Sequence, residues 1–153
     1  YIIMAFAPGL DPRPESYKKF LGVYEGFRWL MIGFLVLLYV TTTLFALGYP
    51  LSIGKIIRFV LGLLLALMGN YFGKIRHNYT FGIKTPWTLA SEEVWNKTHR
   101  ISGPLWVVSG LIWMLSIFIT EKLAFAIAMG SIIVVSIYGF AYSYILFQKL
   151  KNQ

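Results

Sequence analysis

The chain has 153 residues, of which 58% are hydrophobic and only 13% are charged, and its mean hydropathy is +0.67. Soluble domains are usually about 45–50% apolar and about 25% charged, so the composition excludes an ordinary soluble domain, a disordered chain and a collagen-like fibre. Cysteine is absent, which excludes disulfides, thiolate metal sites and thiol nucleophiles, and the net charge of +8 fits a membrane protein with basic cytoplasmic loops.

The apolar segment at the start of the chain, YIIMAFA (residues 1–7), is too short to cross a membrane. It ends at Pro8-Gly9, a pair that terminates helices, and no basic stretch of the kind that opens a signal peptide precedes it. We therefore predict that it is an N-terminal stub, the end of a further span whose beginning is missing from this chain.

Four later apolar blocks are long enough to cross a bilayer, which takes about 20 mostly apolar residues. They cover about residues 29–47, 53–72, 101–120 and 123–148. Their central portions contain no acidic, basic or histidine residues, which argues against a proton-coupled transporter or a voltage sensor. The sequence therefore predicts an all-α polytopic bundle that forms a single membrane domain over residues 1–153.

The distribution of positive charge predicts the orientation of this bundle. Eleven of the 14 basic residues fall in segments 8–28, 74–100 and 149–153, which share one side of a protein with four spans. Basic residues are concentrated in cytoplasmic loops. We therefore expect the long loop 74–100 and the C-terminus to be cytoplasmic, and anionic lipid headgroups to contact Lys74, Arg76 and Arg100.

The loop 74–100 is long and aromatic, and it carries both histidines of the chain. Pro86 disfavours helical geometry at the preceding residue, while Ser91 can cap a short helix over about residues 92–100. We expect Gly103-Pro104 to break or kink the chain after that helix. We expect the loop to fold as a compact cap at the membrane surface, with Trp87 and Trp95 buried.

The polar residues of the loop do not make a convincing catalytic or metal site. The two histidines and two glutamates lack the spacing of a zinc motif, and no third group is evident to orient a Ser91–His99 pair. The basic and aromatic residues suit a headgroup interface as well as they suit nucleic acid. We therefore predict no enzymatic activity, no cofactor and no direct nucleic-acid partner.

The loop residues nevertheless resemble a known family, the SdpI family of bacterial membrane proteins. The resemblance covers residues 56–115 well, and the family usually has arginine where this chain has Lys84. The residues that carry it, and that we single out as the candidate site, are Asn70, Asn78, Gly82, Lys84, Thr85, Pro86, Trp87, Thr88, Leu89, Trp95, Thr98 and His99. We expect Asn70, Asn78, Thr88 and His99 to pair with backbone groups of the irregular GIKTPW stretch.

The resemblance implies an integral protein of the bacterial cytoplasmic membrane that confers immunity to a secreted peptide toxin. It also implies signalling, in which the membrane protein sequesters a cytoplasmic repressor. The expected partners are thus the lipid bilayer, a peptide toxin and a repressor protein. The alternative interpretation is a transporter subunit for a small molecule or lipid, which a pocket converging on Asn70 and the loop would favour.

Overall fold

The computed structural model describes Phe6 and residues 8–152, and helices dominate this part of the chain. Residues 8–10 are helical, so Pro8-Gly9 does not end the first helix as we expected. The helices that follow are α1 Pro14–Lys18, α2 Leu21–Ala46, α3 Ile53–Phe72, α4 Pro86–Ala90, α5 Glu92–Leu115 and α6 Glu121–Lys151, with a 3-10 turn at Ser116–Phe118. The described residues contain no strand, and the predicted all-α fold is confirmed. The predicted N-terminal stub, apart from Phe6, lies outside the described residues.

Four of these helices are long and apolar enough to cross a membrane: α2, α3, α5 with its 3-10 turn, and α6. Consecutive long helices run antiparallel, so the segments before α2 and between α3 and α5, together with the end of α6, lie at one end of the bundle. About half of the large apolar side chains of α2 and α6 are exposed, as expected for helices that face lipid rather than water. The chain is a multi-pass membrane protein.

Helices α3 and α5 form the centre of the bundle, where their backbones touch at two pairs of glycines. A Cβ atom built on Gly62 would lie 2.6 Å from the Gly110 carbonyl oxygen, and one built on Gly69 would lie 2.7 Å from the Gly103 carbonyl oxygen. Small residues let membrane helices approach closely when no hydrophobic effect drives their association. These glycines recur at a spacing of seven residues on both helices, so the two contacts lie on one continuous seam.

Helix α6 packs on the other side of α5 through small residues and hydrogen bonds. Ala124 and Ala128 are completely buried. The Trp113 indole N–H donates to the Ala128 carbonyl at 2.8 Å, and the hydroxyls of Ser109 and Ser131 lie 2.8 Å apart. These bonds fix the register between α5 and α6 in a region that offers no water as an alternative partner.

The structure differs from the sequence expectation around Pro104. We expected a short helix over residues 92–100 and then a break or a kink at Gly103-Pro104. The helix is longer and does not break, because α5 continues through Pro104 to Leu115. A proline removes one backbone donor from a helix, and membrane helices tolerate this because neighbouring groups and local adjustments compensate. Here Gly103 lies against the backbone of Gly69, so the packing of α3 on α5 holds the helix together at this point.

Candidate functional site

The connection between α3 and α5 folds around Trp95, which is completely buried. Its indole stacks on the His99 ring, with 4.1 Å between ring centroids, and it packs against His77 at 5.2 Å on another side. The indole N–H donates to the Ile75 carbonyl at 3.0 Å, while His77 Nε2 lies 3.2 Å from the Leu89 carbonyl oxygen. One buried tryptophan thereby joins the segment after α3 to the first turns of α5.

His99 holds the most irregular part of the connection in place. Its Nδ1 lies 2.9 Å from the Trp95 carbonyl oxygen, and its Nε2 accepts a hydrogen bond from the Ile83 backbone N–H at 2.8 Å. This pairing requires the neutral tautomer with the proton on Nδ1. Next to it, Gly82 has φ +120° and a Cβ built there would lie 2.5 Å from His99 Nε2. Only glycine fits this position without displacing the ring.

The short helix α4 is fixed by two threonines and joined to α6. Thr85 accepts from the Thr88 backbone N–H at 3.1 Å, and Thr88 accepts from the Thr85 backbone N–H at 2.9 Å, which forms a reciprocal capping box. Pro86 occupies the first helical position, where the missing N–H costs little. The Thr85 hydroxyl also lies 3.0 Å from the Ser143 hydroxyl of α6, so the loop is tied to the last span.

A tight turn before this helix is organised by Asn78, whose side chain is completely buried. Its carbonyl oxygen accepts from the backbone N–H groups of Thr80 and Phe81 at 2.8 and 2.9 Å, and its amide donates to the Arg76 carbonyl at 2.7 Å. The side chain therefore replaces the backbone partners that an irregular segment lacks. Asn78, Thr88 and His99 all serve the backbone in this way.

The segment before α1 is joined to the same turn by Asp11, which is only 6% exposed. Its carboxylate accepts from the Tyr79 backbone N–H at 2.7 Å and from the hydroxyls of Tyr17 and Thr80, each at 3.0 Å. Burial alone would raise the pKa of the Asp11 carboxyl, but these bonds and one from the Arg13 N–H together lower it below its ordinary value. Asp11 was not among the residues predicted from the sequence. The one signal that could have pointed to it is its acidic side chain, since no other acidic residue precedes α1.

Trp87 lies apart from this buried centre. Its indole is half-buried and packs against Phe140 and Tyr144 of α6, with ring centroids 5.0 and 4.9 Å apart. We expected both loop tryptophans to be buried, whereas Trp87 lies on the surface of α6 and is only half-buried. The half-buried Leu89 packs against the core that contains Trp95.

The other residues singled out from the sequence lie at the edges of this arrangement. Lys84 is exposed, and its ammonium donates to the carbonyls of Thr80 and Tyr79 at 3.0 and 3.4 Å. Thr98 is completely buried, and its hydroxyl has no hydrogen-bond partner within the described part of the chain. Asn70 is exposed on α3 and serves no backbone group of the GIKTPW stretch. The structure thus brings together most of the predicted residues but not Asn70.

The polar side chains of this arrangement have structural roles. Both ring nitrogens of His99 are engaged with the backbone, and the Ser91 hydroxyl accepts from the Val94 N–H as the cap of α5. Within the described residues, no three His, Asp or Glu side chains are grouped as metal ligands. Desolvation, followed by the charge of Arg13, lowers the pKa of His77, which keeps this ring neutral beside the Trp95 indole.

Comparison with known proteins agrees with this geometry. Residues 74–143 match the model of the SdpI/YfhL protein family. The chain is similar to the protein named "Immunity protein SdpI" from Bacillus subtilis (strain 168), with 31% identity over 122 residues, which cover 80% of this chain and 59% of that protein. The chain therefore spans about three fifths of the length of the curated relative it matches. No solved structure matches the chain. The resemblance to the SdpI/YfhL protein family that was seen in the loop residues is thus confirmed.

Proposed function

We propose that this protein confers immunity to a secreted peptide toxin in the cytoplasmic membrane of a bacterium. The observation that carries the proposal is the similarity to an immunity protein over 122 residues, which extends well beyond the loop into the spans. The folded connection between α3 and α5 supports it, because the residues that resemble the family form one packed unit with the helix ends. The protein acts without catalysis in this proposal, through binding alone.

The toxin contact belongs to the membrane-spanning helices or to the turns opposite the loop. The loop's polar side chains are largely occupied with its own backbone, so they offer few free groups to a ligand. Its role in this proposal is to fix the relative positions of α3, α5 and α6. A loop of this kind determines the shape of the surface that the helices present to a peptide in the bilayer.

The immunity proposal is tested by deleting the gene and challenging the cells with membrane-active peptides from the same and neighbouring strains. We expect at least one peptide to kill the deletion strain at a concentration that the parent survives, and expression of the gene to restore survival. Equal sensitivity of the two strains to every peptide would contradict the proposal.

The orientation is a separate proposal, in which the loop and the C-terminus are cytoplasmic. Most of the basic residues lie at that end of the bundle, and basic residues favour the cytoplasmic side. Because the chain has no cysteine, one cysteine at Lys74 or at Lys122 reports its side directly, and both positions are exposed. In whole cells, a membrane-impermeant thiol reagent should label the Lys122→Cys protein and spare the Lys74→Cys protein. The reverse pattern would overturn the orientation.

A signalling role is the finer proposal, in which the loop side holds a cytoplasmic repressor at the membrane. Exposed charges on the first turns of α5 support it, since Glu92 is exposed and Glu93 pairs with Lys97 at 2.6 Å on the surface. Charge reversal at Glu92 and Lys97 should release the repressor while leaving protein abundance and immunity unchanged. Co-purification of the repressor with membranes measures this, and unchanged retention would refute the docking role.

A further inference from the structure

A cavity of about 340 Å³ lies between the four long helices and the loop that joins α3 to α5. Each of the four long helices contributes to its wall, among others through Phe27 of α2, Met68 of α3, Trp106 of α5 and Phe140 of α6. Its volume falls in the range of small-ligand pockets, about 300–1,000 Å³. A partly open space of this size can therefore hold part of a ligand.

The chemistry of the cavity is divided between an apolar body and one charged rim. Its lining is mainly aromatic and aliphatic, which suits a hydrocarbon chain. The roof is the stretch from Phe81 to Thr85, and Lys84 stands at its edge with the ammonium held by the Thr80 and Tyr79 carbonyls. Two carbonyls leave one of the three ammonium protons free for an anionic oxygen.

The cavity places its apolar lining and the Lys84 ammonium at the depths where a phospholipid has its acyl chain and its phosphate. Its roof belongs to the loop at the membrane surface, while its body lies between helices that cross the membrane. Among the described residues, helices α2 and α6 do not pack extensively against each other, so within this part of the chain a gap between them leads to the cavity. A phospholipid in that leaflet could extend a chain through this gap and keep its phosphate at the surface.

We propose that this cavity holds one acyl chain of an anionic phospholipid, whose headgroup is bound by Lys84. The roof is suited to this role because it is rigid: the Ile83 N–H is bonded to His99, and Thr88 is bonded to the Ile83 carbonyl at 2.8 Å. A fixed roof keeps the cation at a constant height above the apolar chamber. The site is independent of any toxin, because it needs only the bilayer in which the protein resides.

Native mass spectrometry of the purified protein tests the proposal. Phosphatidylglycerol and phosphatidylcholine with identical acyl chains are added in equal amounts, and the lipids retained on the protein are counted. A basic residue near a membrane surface contributes about 1 kcal/mol to the binding of anionic lipid, so we expect about a fivefold preference for one phosphatidylglycerol. Equal retention of the two lipids by the unaltered protein would overturn the proposal.

Three lysine variants and two variants on α6 separate this site from general lipid adhesion. Lys84→Gln should remove the preference, Lys84→Arg should keep it, and Lys149→Gln should also keep it, because Lys149 is an exposed lysine at the same end of the bundle but away from the cavity. Ser136→Phe places a ring at a position that lines the cavity and should abolish retention of both lipids, whereas Ile137→Phe adds a ring at a neighbouring exposed position that does not line the cavity and should not.

The variants also supply the refuting results. The proposal fails if the Ser136→Phe protein retains lipid as the unaltered protein does, or if Lys149→Gln lowers the preference as much as Lys84→Gln. If Ser136→Phe does not accumulate as folded protein, the three lysine variants decide the matter alone.

Discussion

Replacing Gly82 by alanine should destabilise the protein by straining the folded connection between α3 and α5. The residue has φ +120°, a conformation that costs other residues of order 1–3 kcal/mol. The added Cβ would also lie 2.5 Å from His99 Nε2 and displace a ring that is stacked on the buried Trp95. The displaced ring loses its hydrogen bond from the Ile83 N–H, which contributes about 0.5–1.5 kcal/mol. The expected loss in the free energy of unfolding is about 2–4 kcal/mol.

The assay is reversible unfolding of the purified protein in mixed micelles, with helix content followed by circular dichroism. Gly73→Ala is the matched control. Gly73 lies at the start of the same connection and has an ordinary backbone conformation, and a Cβ added there meets nothing within 4 Å. We expect the control to unfold within about 0.5 kcal/mol of the unaltered protein. If Gly82→Ala is also within that margin, the proposed strain and the role of the His99 contact are wrong.

Three further predictions concern the loop core, the central seam and the N-terminal segment. Trp95→Ala should lower the free energy of unfolding by about 3–5 kcal/mol, and Trp87→Ala should lower it less because its indole is only half-buried. Gly110→Ala should destabilise the bundle by about 1–3 kcal/mol, since its Cβ would lie 2.5 Å from backbone atoms of α3, whereas Gly130→Ala meets nothing within 4 Å and should be neutral in the same micelle assay. Asp11→Asn should cost about 1–3 kcal/mol at pH 7. Because the folded pKa of Asp11 is lowered, the stabilisation from its carboxylate is present above the ordinary pKa of 3.8 and is lost as the pH falls through the lower folded pKa. The difference in free energy of unfolding between the unaltered protein and Asp11→Asn should therefore be smaller at pH 3 than at pH 7.

The fold class could be predicted from composition and apolar block length, because crossing a bilayer imposes both. The seam between α3 and α5 could also have been found, since Gly62 and Gly69, and Gly103 and Gly110, recur at the same spacing. The continuity of α5 through Pro104 could not, because it depends on how a second helix packs against the proline-containing turn rather than on the proline itself.

The candidate site was predicted unevenly for a similar reason. Trp95 and His99 share one helix face, so their contact is local and follows from their spacing of four residues. The bonds between Asp11 and the turn at Tyr79 join parts of the chain that are 68 positions apart, and no local pattern indicates them. Asn70 was expected to serve the loop because it is one of the residues that carry the family resemblance, but it is exposed on α3.

The proposed function is tested most directly by the dose of secreted peptide that kills a strain from which this gene has been deleted. Deletion cells that express the intact gene should survive a dose that kills cells carrying an empty plasmid, and the Gly73→Ala control should protect them equally. The proposed immunity function is contradicted if the intact gene gives no protection against any peptide tried. In that case, cells with the protein present in their membranes die at the same dose as cells with the empty plasmid.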